Sequence, residues 1–213
     1  MIFKPAETGP LIPIQYTFNY RDVAAALYAA LVDDAFYIAM ENSVIGDATQ
    51  RREAMLRYYD YAMWEGHRYG LLYIPAGQPL GASIWSRPIN GRSKQQVADE
   101  KQTFLKTHMG EASLTAYLNM TDAMTRQTTT AISPDSWYLS IVGIAPSFQG
   151  QGIGRSLIEP ILDRTDALGV STYLETFTPR NMDFYRRLGY QKAATCKVLE
   201  TPYWVMVRPP HSA

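Results

Sequence analysis

A glycine-rich turn at residues 144–155 constrains the fold of this chain more than any other segment. Its sequence is Ile-Ala-Pro-Ser-Phe-Gln-Gly-Gln-Gly-Ile-Gly-Arg. Aromatic and β-branched residues at 137–144 predict a strand before it, and apolar residues at helical spacing predict a helix at 151–168. The first turn of a helix has unpaired N–H groups and a partial positive charge, and glycines let an anion approach the backbone. The segment therefore predicts a phosphate or pyrophosphate site.

Two common nucleotide-binding motifs fit this turn poorly. A P-loop requires lysine after its last glycine, whereas Gly154 is followed by Arg155. The dinucleotide fingerprint G-x-G-x-x-G fails whether it starts at Gly150 or at Gly152. Glu175 lies about twenty residues further on, where such a site places its ribose-binding acid. The turn occurs late, however, and too little chain follows it to complete a doubly wound sheet. A Rossmann-type NAD-binding protein is kept as one alternative.

A third motif matches. Gln149-x-x-Gly152-x-Gly154 resembles the pyrophosphate loop Q/R-x-x-G-x-G/A of the GNAT superfamily of N-acetyltransferases, and residues 181–190 resemble its later N…FYxxLGF signature. Residues 137–208 are further similar to the C-terminal half of the puromycin N-acetyltransferases. The resemblance implies an α/β (α+β) fold. Its central mixed, mostly antiparallel sheet would be splayed at the acetyl-CoA site, with helices on both faces.

The chain is predicted to be a single domain over residues 1–213. Residues 1–130 would form the acceptor-side half, and residues 131–208 the acetyl-CoA-binding core. Periodicity and turn residues predict strands at 14–18, 69–74, 80–87, 171–177, 190–198 and 202–207. They predict helices at 21–36, 50–65 and 181–188, two more within 93–126 separated near Gly110, and a kink at Pro160 in the helix at 151–168.

The resemblance also implies which residues contact acetyl-CoA. They are Val142, Gly143, Ile144, Gln149, Gly150, Gln151, Gly152, Ile153, Gly154, Arg155, Asn181 and Tyr185. The backbone N–H of Ile144 would polarise the thioester carbonyl, as an oxyanion donor does. Backbone N–H groups of 149–155 would bind the pyrophosphate. Arg155 either adds charge there or is a solvated side chain, and Asn181 either binds the pantetheine or caps the short helix.

Tyr185 and Glu175 are the predicted catalytic residues. The resemblance places Tyr185 beside the coenzyme sulfur, as the acid for the departing thiolate. Because an ordinary tyrosine has a pKa near 10 and a thiol one near 8.5, full proton transfer is uphill by roughly 2 kcal/mol, and a hydrogen bond to the thiolate suffices. An acceptor amine must lose a proton before it attacks, and Glu175 is the candidate base or amine-binding group. A water relay, or an ion pair of Glu175 with Arg180, is the alternative, and Asp34 and Glu41 are weaker candidates.

Phe36, Tyr37, Trp85 and Glu175 are the predicted substrate-binding residues, although the three aromatic side chains fit a hydrophobic core equally well. The predicted reaction moves an acetyl group from acetyl-CoA to a primary amine of a small molecule by direct attack in a ternary complex. A non-catalytic acyl-CoA-binding or sensing module is the alternative. The sequence leaves open which amine is acetylated and whether a longer acyl group is used.

Charge and composition narrow the possible partners. Twenty basic and twenty acidic residues give no net charge, which offers no reason to expect nucleic acid as a partner. The pairs Arg51–Arg52 and Arg186–Arg187 are interpreted as solvated helix faces. One cysteine and three scattered histidines predict no disulfide and no metal site. Residues 1–20 have no apolar run of the length of a signal peptide or membrane helix, so a cytoplasmic monomer or homodimer without a membrane partner is expected.

Overall fold

A computed structural model describes residues 16–77, 79–89 and 91–211. Their strands form one six-stranded sheet in the order β1-β2-β3-β4-β6-β5. The strands are β1 Leu71–Tyr73, β2 Gly81–Ser86, β3 Trp137–Ile144, β4 Thr172–Thr176, β5 Gln191–Val198 and β6 Thr201–Arg208. Only the β3–β4 pair is parallel among these neighbours. The predicted mixed, mostly antiparallel sheet is confirmed, and the Rossmann alternative, which needs a doubly wound parallel sheet, is wrong.

Helices pack on both faces of this sheet. They are α1 Arg21–Ala30, α2 Ala35–Ser43, α3 Ala48–Tyr69, α4 Gly91–His108, α5 Glu111–Thr128, α6 Ile153–Ser156, α7 Glu159–Ala167 and α8 Pro179–Arg186, with a short 3-10 turn at Pro146–Phe148. One apolar core lies between the sheet and α1 to α5, and a second lies between the sheet and α6 to α8. Within the described residues no single helix is long and apolar enough to cross a membrane. The α1–α2 pair passes that test together, but it is bent by 116°.

The predicted helix at 21–36 is wrong in its extent, because α1 ends at Ala30 and α2 starts at Ala35. The Asp34 side chain accepts a hydrogen bond from the N–H of Phe36 at 3.0 Å and caps α2. Aspartate favours this N-cap position over a helix interior, since its carboxylate competes for nearby N–H groups. The turn at 31–34 therefore interrupts the predicted helix near its C-terminal end.

The predicted strand at 14–18 begins outside the described residues, and its described part, residues 16–18, is not in a strand. Asp60, fully buried on α3, fixes this segment instead. Its carboxylate accepts hydrogen bonds from the Tyr16 hydroxyl at 2.9 Å and from the backbone N–H groups of Asn19 and Tyr20. The segment is therefore attached to a helix rather than to the sheet edge.

The predicted helix at 151–168 is interrupted rather than kinked. α6 ends at Ser156, and α7 begins at Glu159 with Pro160 in its first turn. Proline has no N–H for the carbonyl four residues earlier and is tolerated in a first turn, so the chain restarts the helix there. The interruption frees the carbonyl of Leu157, which accepts a 2.6 Å hydrogen bond from the buried hydroxyl of Ser83.

A β-bulge in β3 produces the predicted splay. Leu139 pairs with Trp85, and Ile141 pairs with the adjacent residue of β2, so Ser140 is the extra residue. The bulge reverses the alternation of side chains, since Leu139 packs in the α6–α8 core and Ile141 in the α1–α5 core. Pairing of β3 with β4 extends only from Trp137 to Leu139. Residues 140–144 of β3 therefore have an edge that is not paired with β4.

Candidate active site

Two cavities meet at the unpaired edge of β3. The first, here called the glycine-turn cleft, has a volume of about 680 Å³ and is bounded by the glycine turn and α8. The second, here called the aromatic cavity, has a volume of about 420 Å³ and extends between α3, α5 and the sheet. The residues that line both are Leu31, Asp34, Val142, Asn181 and Tyr185. A molecule in one cavity can therefore contact a molecule in the other at this junction.

The glycine-turn cleft brings together most of the predicted coenzyme residues. The predicted residues in its lining are Val142, Gly143, Ile144, Gln149, Gly150, Gly152, Gly154, Arg155, Asn181 and Tyr185. Two predicted residues are not part of the lining. The side chain of Gln151 is exposed, and Ile153 packs against the core beneath α6.

The backbone of the turn has the conformation that the sequence predicts. Gly150 and Gly152 have φ angles of +78° and +80°, which side-chain-bearing residues rarely adopt. A Cβ atom at either position would meet no atom within 4 Å, so the turn is open on that side. The Gln149 side-chain amide donates to the carbonyl of Ile144 at 2.9 Å, and this bond ties the turn to the end of β3.

Three arginines line the cleft, of which the sequence predicted only Arg155. Arg155 also forms an ion pair with Glu159. Arg186 and Arg187 are both exposed, as expected of a solvated face, and Arg187 in addition borders the cleft. Arg180 and Arg187 lie seven residues apart, which places them on one face of a helix. That spacing was a signal in the sequence, and the three cations make the cleft suited to phosphate groups.

Tyr185 lies at the junction of the cavities with a side chain that is 7% exposed. No group in the described part of the chain hydrogen-bonds its hydroxyl. Burial raises the pKa of Tyr185 well above its usual value, and the nearby Tyr190 and Asp34 act in the same direction. The hydroxyl is therefore protonated at neutral pH and is available to a bound molecule.

Glu175 lines the aromatic cavity but not the glycine-turn cleft. Its carboxylate accepts hydrogen bonds from the Thr128 hydroxyl and from the Tyr138 hydroxyl, the latter at 3.0 Å. None of the ion pairs within residues 16–77, 79–89 and 91–211 includes Glu175, so the alternative pairing with Arg180 is not observed. Burial raises the pKa of this carboxyl, and the two hydrogen bonds oppose that rise. A carboxyl so placed can accept a proton from an amine.

The aromatic cavity contains the predicted Phe36, Tyr37 and Trp85. Trp85 borders it, but its side chain is 1% exposed and donates its indole N–H to Ser83, so it is mainly a core residue. Sequence reasoning missed further aromatic lining residues from α3, α5, β3, β4 and the chain that follows them: Tyr58, Tyr69, Tyr117, Tyr138, Tyr173 and Phe177. It also missed the ion pair of Lys101 with Glu65, which borders the same cavity at 2.6 Å. These positions are distant in sequence, and only the fold brings them together.

The two weaker acidic candidates differ in position. Asp34 lines both cavities, whereas Glu41 lines neither and accepts a hydrogen bond from the Tyr28 hydroxyl at 2.9 Å. Among the described residues no group of three or more His, Cys, Asp or Glu side chains is arranged to hold a metal ion.

Comparison with known proteins agrees with this geometry. Residues 111–192 match the family model of the acetyltransferase (GNAT) domain. An uncharacterised N-acetyltransferase of Schizosaccharomyces pombe is 26% identical over 203 residues, which cover 91% of this chain and 81% of the relative. Similarity to the puromycin N-acetyltransferases in particular remains a prediction.

Two solved structures share the fold over most of their length. One is a structure of histone acetyltransferase HPA2 and related acetyltransferase from Corynebacterium glutamicum, with a TM-score of 0.61 and 17% identity. The aligned residues cover 95% of this chain and 96% of the Corynebacterium glutamicum chain. The other is arylalkylamine N-acetyltransferase 2 from Aedes aegypti, with a TM-score of 0.56 and 12% identity. The aligned residues cover 90% of this chain and 94% of the Aedes aegypti chain. Residues 111–192 therefore match a GNAT acetyltransferase domain, and the chain is an acyltransferase whose fold is shared by known acetyltransferases.

Proposed function

We propose that this protein transfers the acetyl group of acetyl-CoA to a primary amine of a small molecule by direct attack in a ternary complex. The observation that carries the proposal is the junction of the two cavities at Tyr185. The cleft with the glycine turn and three arginines suits an anionic coenzyme, and the second cavity suits an acceptor. Direct transfer requires the two substrates to meet, and the shared lining provides the place.

The glycine turn and β3 suit the coenzyme in different ways. Backbone N–H groups of the turn, with the nearby arginines, would bind the pyrophosphate. The edge of residues 140–144 would pair with the amide groups of the pantetheine. Since Ala145 donates its N–H to the carbonyl of Leu80 on the β2 side, the preceding N–H, that of Ile144, points to the unpaired edge. It would donate to the thioester oxygen as negative charge develops there.

Tyr185 at the junction and Glu175 in the adjoining aromatic cavity would assist the proton transfers. As the nitrogen–carbon bond forms, the nitrogen loses a proton to Glu175, directly or through water. As the carbon–sulfur bond breaks, Tyr185 donates a hydrogen bond to the departing thiolate, because the raised pKa of its hydroxyl disfavours full transfer of its proton. Burial of both groups excludes bulk water, which strengthens these interactions.

The lining of the aromatic cavity indicates the class of acceptor. Three carboxylates border it, and one of its two cations, Lys101, is already paired with Glu65. The many tyrosine and phenylalanine rings offer apolar surface and cation–π contacts. We infer a cationic amine with an apolar or aromatic body, rather than an acceptor that carries phosphate or carboxylate groups. The Aedes aegypti relative is named for arylalkylamines, which have this character.

Release of free thiol from acetyl-CoA across a panel of amines tests the proposal, with propionyl-CoA as a second donor. The wild-type protein should release thiol with arylalkyl or alkyl amines and weakly with amino acids. Tyr185→Phe should lower turnover by about 10²-fold or more, because the thiolate loses its hydrogen-bond donor, and should leave coenzyme binding by calorimetry intact.

Tyr73→Phe is the matched control, since Tyr73 lies on β1 and borders neither cavity. Coenzyme binding without thiol release for any amine would contradict the proposed function. Equal turnover of Tyr185→Phe and wild type would contradict only the assigned role of Tyr185.

A further inference from the structure

Asp34 occupies a position that no other acidic residue in the described part of the chain shares. It lines both the glycine-turn cleft and the aromatic cavity, whereas Glu65 and Glu175 border only the aromatic cavity and Asp33 only the cleft. It belongs to the turn between α1 and α2, which lies over the unpaired edge of β3. The carboxylate therefore lies where the two cavities open into each other.

The hydrogen bonding of Asp34 leaves capacity for a ligand. Its carboxylate accepts hydrogen bonds from the backbone N–H groups of Phe36, at Oδ1, and Tyr37. Because the two oxygens of a carboxylate can accept about four hydrogen bonds, capacity for a ligand remains. No ion pair of residues 16–77, 79–89 and 91–211 includes it. A carboxylate that is partly buried without a cation is costly, and a cationic ligand offsets that cost.

The chemistry of transfer requires a cationic group at this junction. At neutral pH a primary amine arrives as an ammonium ion, and its nitrogen must come within reach of the thioester carbon. The nitrogen therefore lies where the cavities meet, beside Tyr185, rather than deep in the aromatic cavity beside Thr128 and Glu175.

We propose that Asp34 is the binding site for the ammonium group of the acceptor, through the remaining acceptor capacity of its carboxylate. This inference rests on the proposed function and assigns one carboxylate to each of two tasks. Asp34 attracts and orients the ammonium at the junction. One proton of the ammonium passes to water before the nitrogen attacks, and Glu175 takes up the second as the nitrogen–carbon bond forms. Selectivity for cationic amines over neutral nucleophiles of the same shape follows from the charge of Asp34.

Asp34→Asn separates this role from capping, because asparagine is as good an N-cap as aspartate. Asp47→Asn is the matched control. Asp47 caps α3 through the N–H of Gln50 and borders neither cavity. Both variants should have the thermal stability of the wild type, and both should bind coenzyme A normally.

The test is calorimetric binding of 2-phenylethylamine, and of its neutral analogue 2-phenylethanol, to protein saturated with coenzyme A. The wild type and Asp47→Asn should prefer the amine. Asp34→Asn should bind the amine about 10- to 100-fold more weakly, as expected for loss of a hydrogen bond to a charged group, with the alcohol unchanged. The proposal would be overturned if the wild type binds the amine no more tightly than the alcohol, or if Asp34→Asn still binds the amine more tightly than the alcohol by the wild-type factor. Thiol release is measured separately, so a protein that prefers the amine without transferring acetyl would contradict the proposed function but not the ammonium site.

Discussion

Thr128 should control the pH range in which this enzyme works. Its hydroxyl donates a hydrogen bond to Glu175, and both side chains are largely buried. This bond stabilises the charged carboxylate and holds the pKa of Glu175 below the value that burial alone would give. Thr128→Val removes the bond and keeps the shape. Because the pKa of Glu175 then rises, a smaller fraction of the base is deprotonated at acidic pH, and the acidic limb of kcat/KM should move to higher pH.

The size of the effect follows from the single bond lost. A hydrogen bond to a charged group contributes about 1.5–3 kcal/mol, part of which the remaining bond from Tyr138 and relaxation would offset. A net loss of about 1.4 kcal/mol corresponds to a tenfold decrease in kcat/KM on the acidic limb, with little change on the alkaline plateau. Steady-state rates across pH with one amine measure both regions, and ionisation of the amine itself is common to all variants.

Two comparisons make this prediction decisive. Thr103→Val is the control, since Thr103 on α4 bonds only the carbonyl of Asp99 and borders neither cavity. Glu175→Gln should abolish the acidic limb that belongs to the base. The assignment of Glu175 as the base would be refuted if the acidic limb of the kcat/KM profile does not move in Thr128→Val, or if this limb persists in Glu175→Gln.

Two further substitutions test the structural support of the proposed coenzyme site. Ser83→Ala leaves the buried carbonyl of Leu157 and the indole N–H of Trp85 without partners. Urea denaturation should therefore show that the free energy of unfolding decreases by about 2–5 kcal/mol. A decrease of less than about 1 kcal/mol would contradict the importance of these two hydrogen bonds. Gly152→Ala meets no atom but forces a side chain into a left-handed conformation, which costs about 1–2 kcal/mol. Calorimetry should then show coenzyme A binding weakened by about tenfold, and unchanged affinity would show that the turn keeps its conformation without glycine.

Local sequence was sufficient to predict the strand and the glycine turn that bound the glycine-turn cleft. The strand at 137–144 has the predicted bounds, and the glycines of the following turn have the positive φ angles that their residue type favours. These features depend on neighbours within a few residues, which periodicity and turn composition report directly. The break after α6 was only partly predictable, because a proline indicates an interruption but not that Ser83, far away in sequence, would bond the freed carbonyl.

The acceptor side depends on contacts that no local pattern contains. Tyr58 and Lys101 face the same cavity from two helices, and the hydrogen bonds to Glu175 come from α5 and β3. A tyrosine among many has the same local pattern whether it packs in a core or lines a pocket. In the sequence, the resemblance to acetyltransferases is strong only over residues 137–208. The first half was therefore predicted mainly as helices and strands, and only Phe36, Tyr37 and Trp85, with Asp34 and Glu41 as weaker candidates, were assigned to the site.

Gly143 links the two halves of the site. A Cβ atom there would lie 3.0 Å from side-chain carbons of both Ala30 and Leu27, so the absence of a side chain lets α1 pack directly on β3 beyond the bulge. α1 ends at Ala30, and the turn that carries Asp34 follows at once. Close approach of α1 to the strand therefore brings Asp34 over the unpaired edge, where the thioester would lie. The glycine that appears in sequence as part of the coenzyme strand thus also determines where the acceptor's ammonium group would be bound.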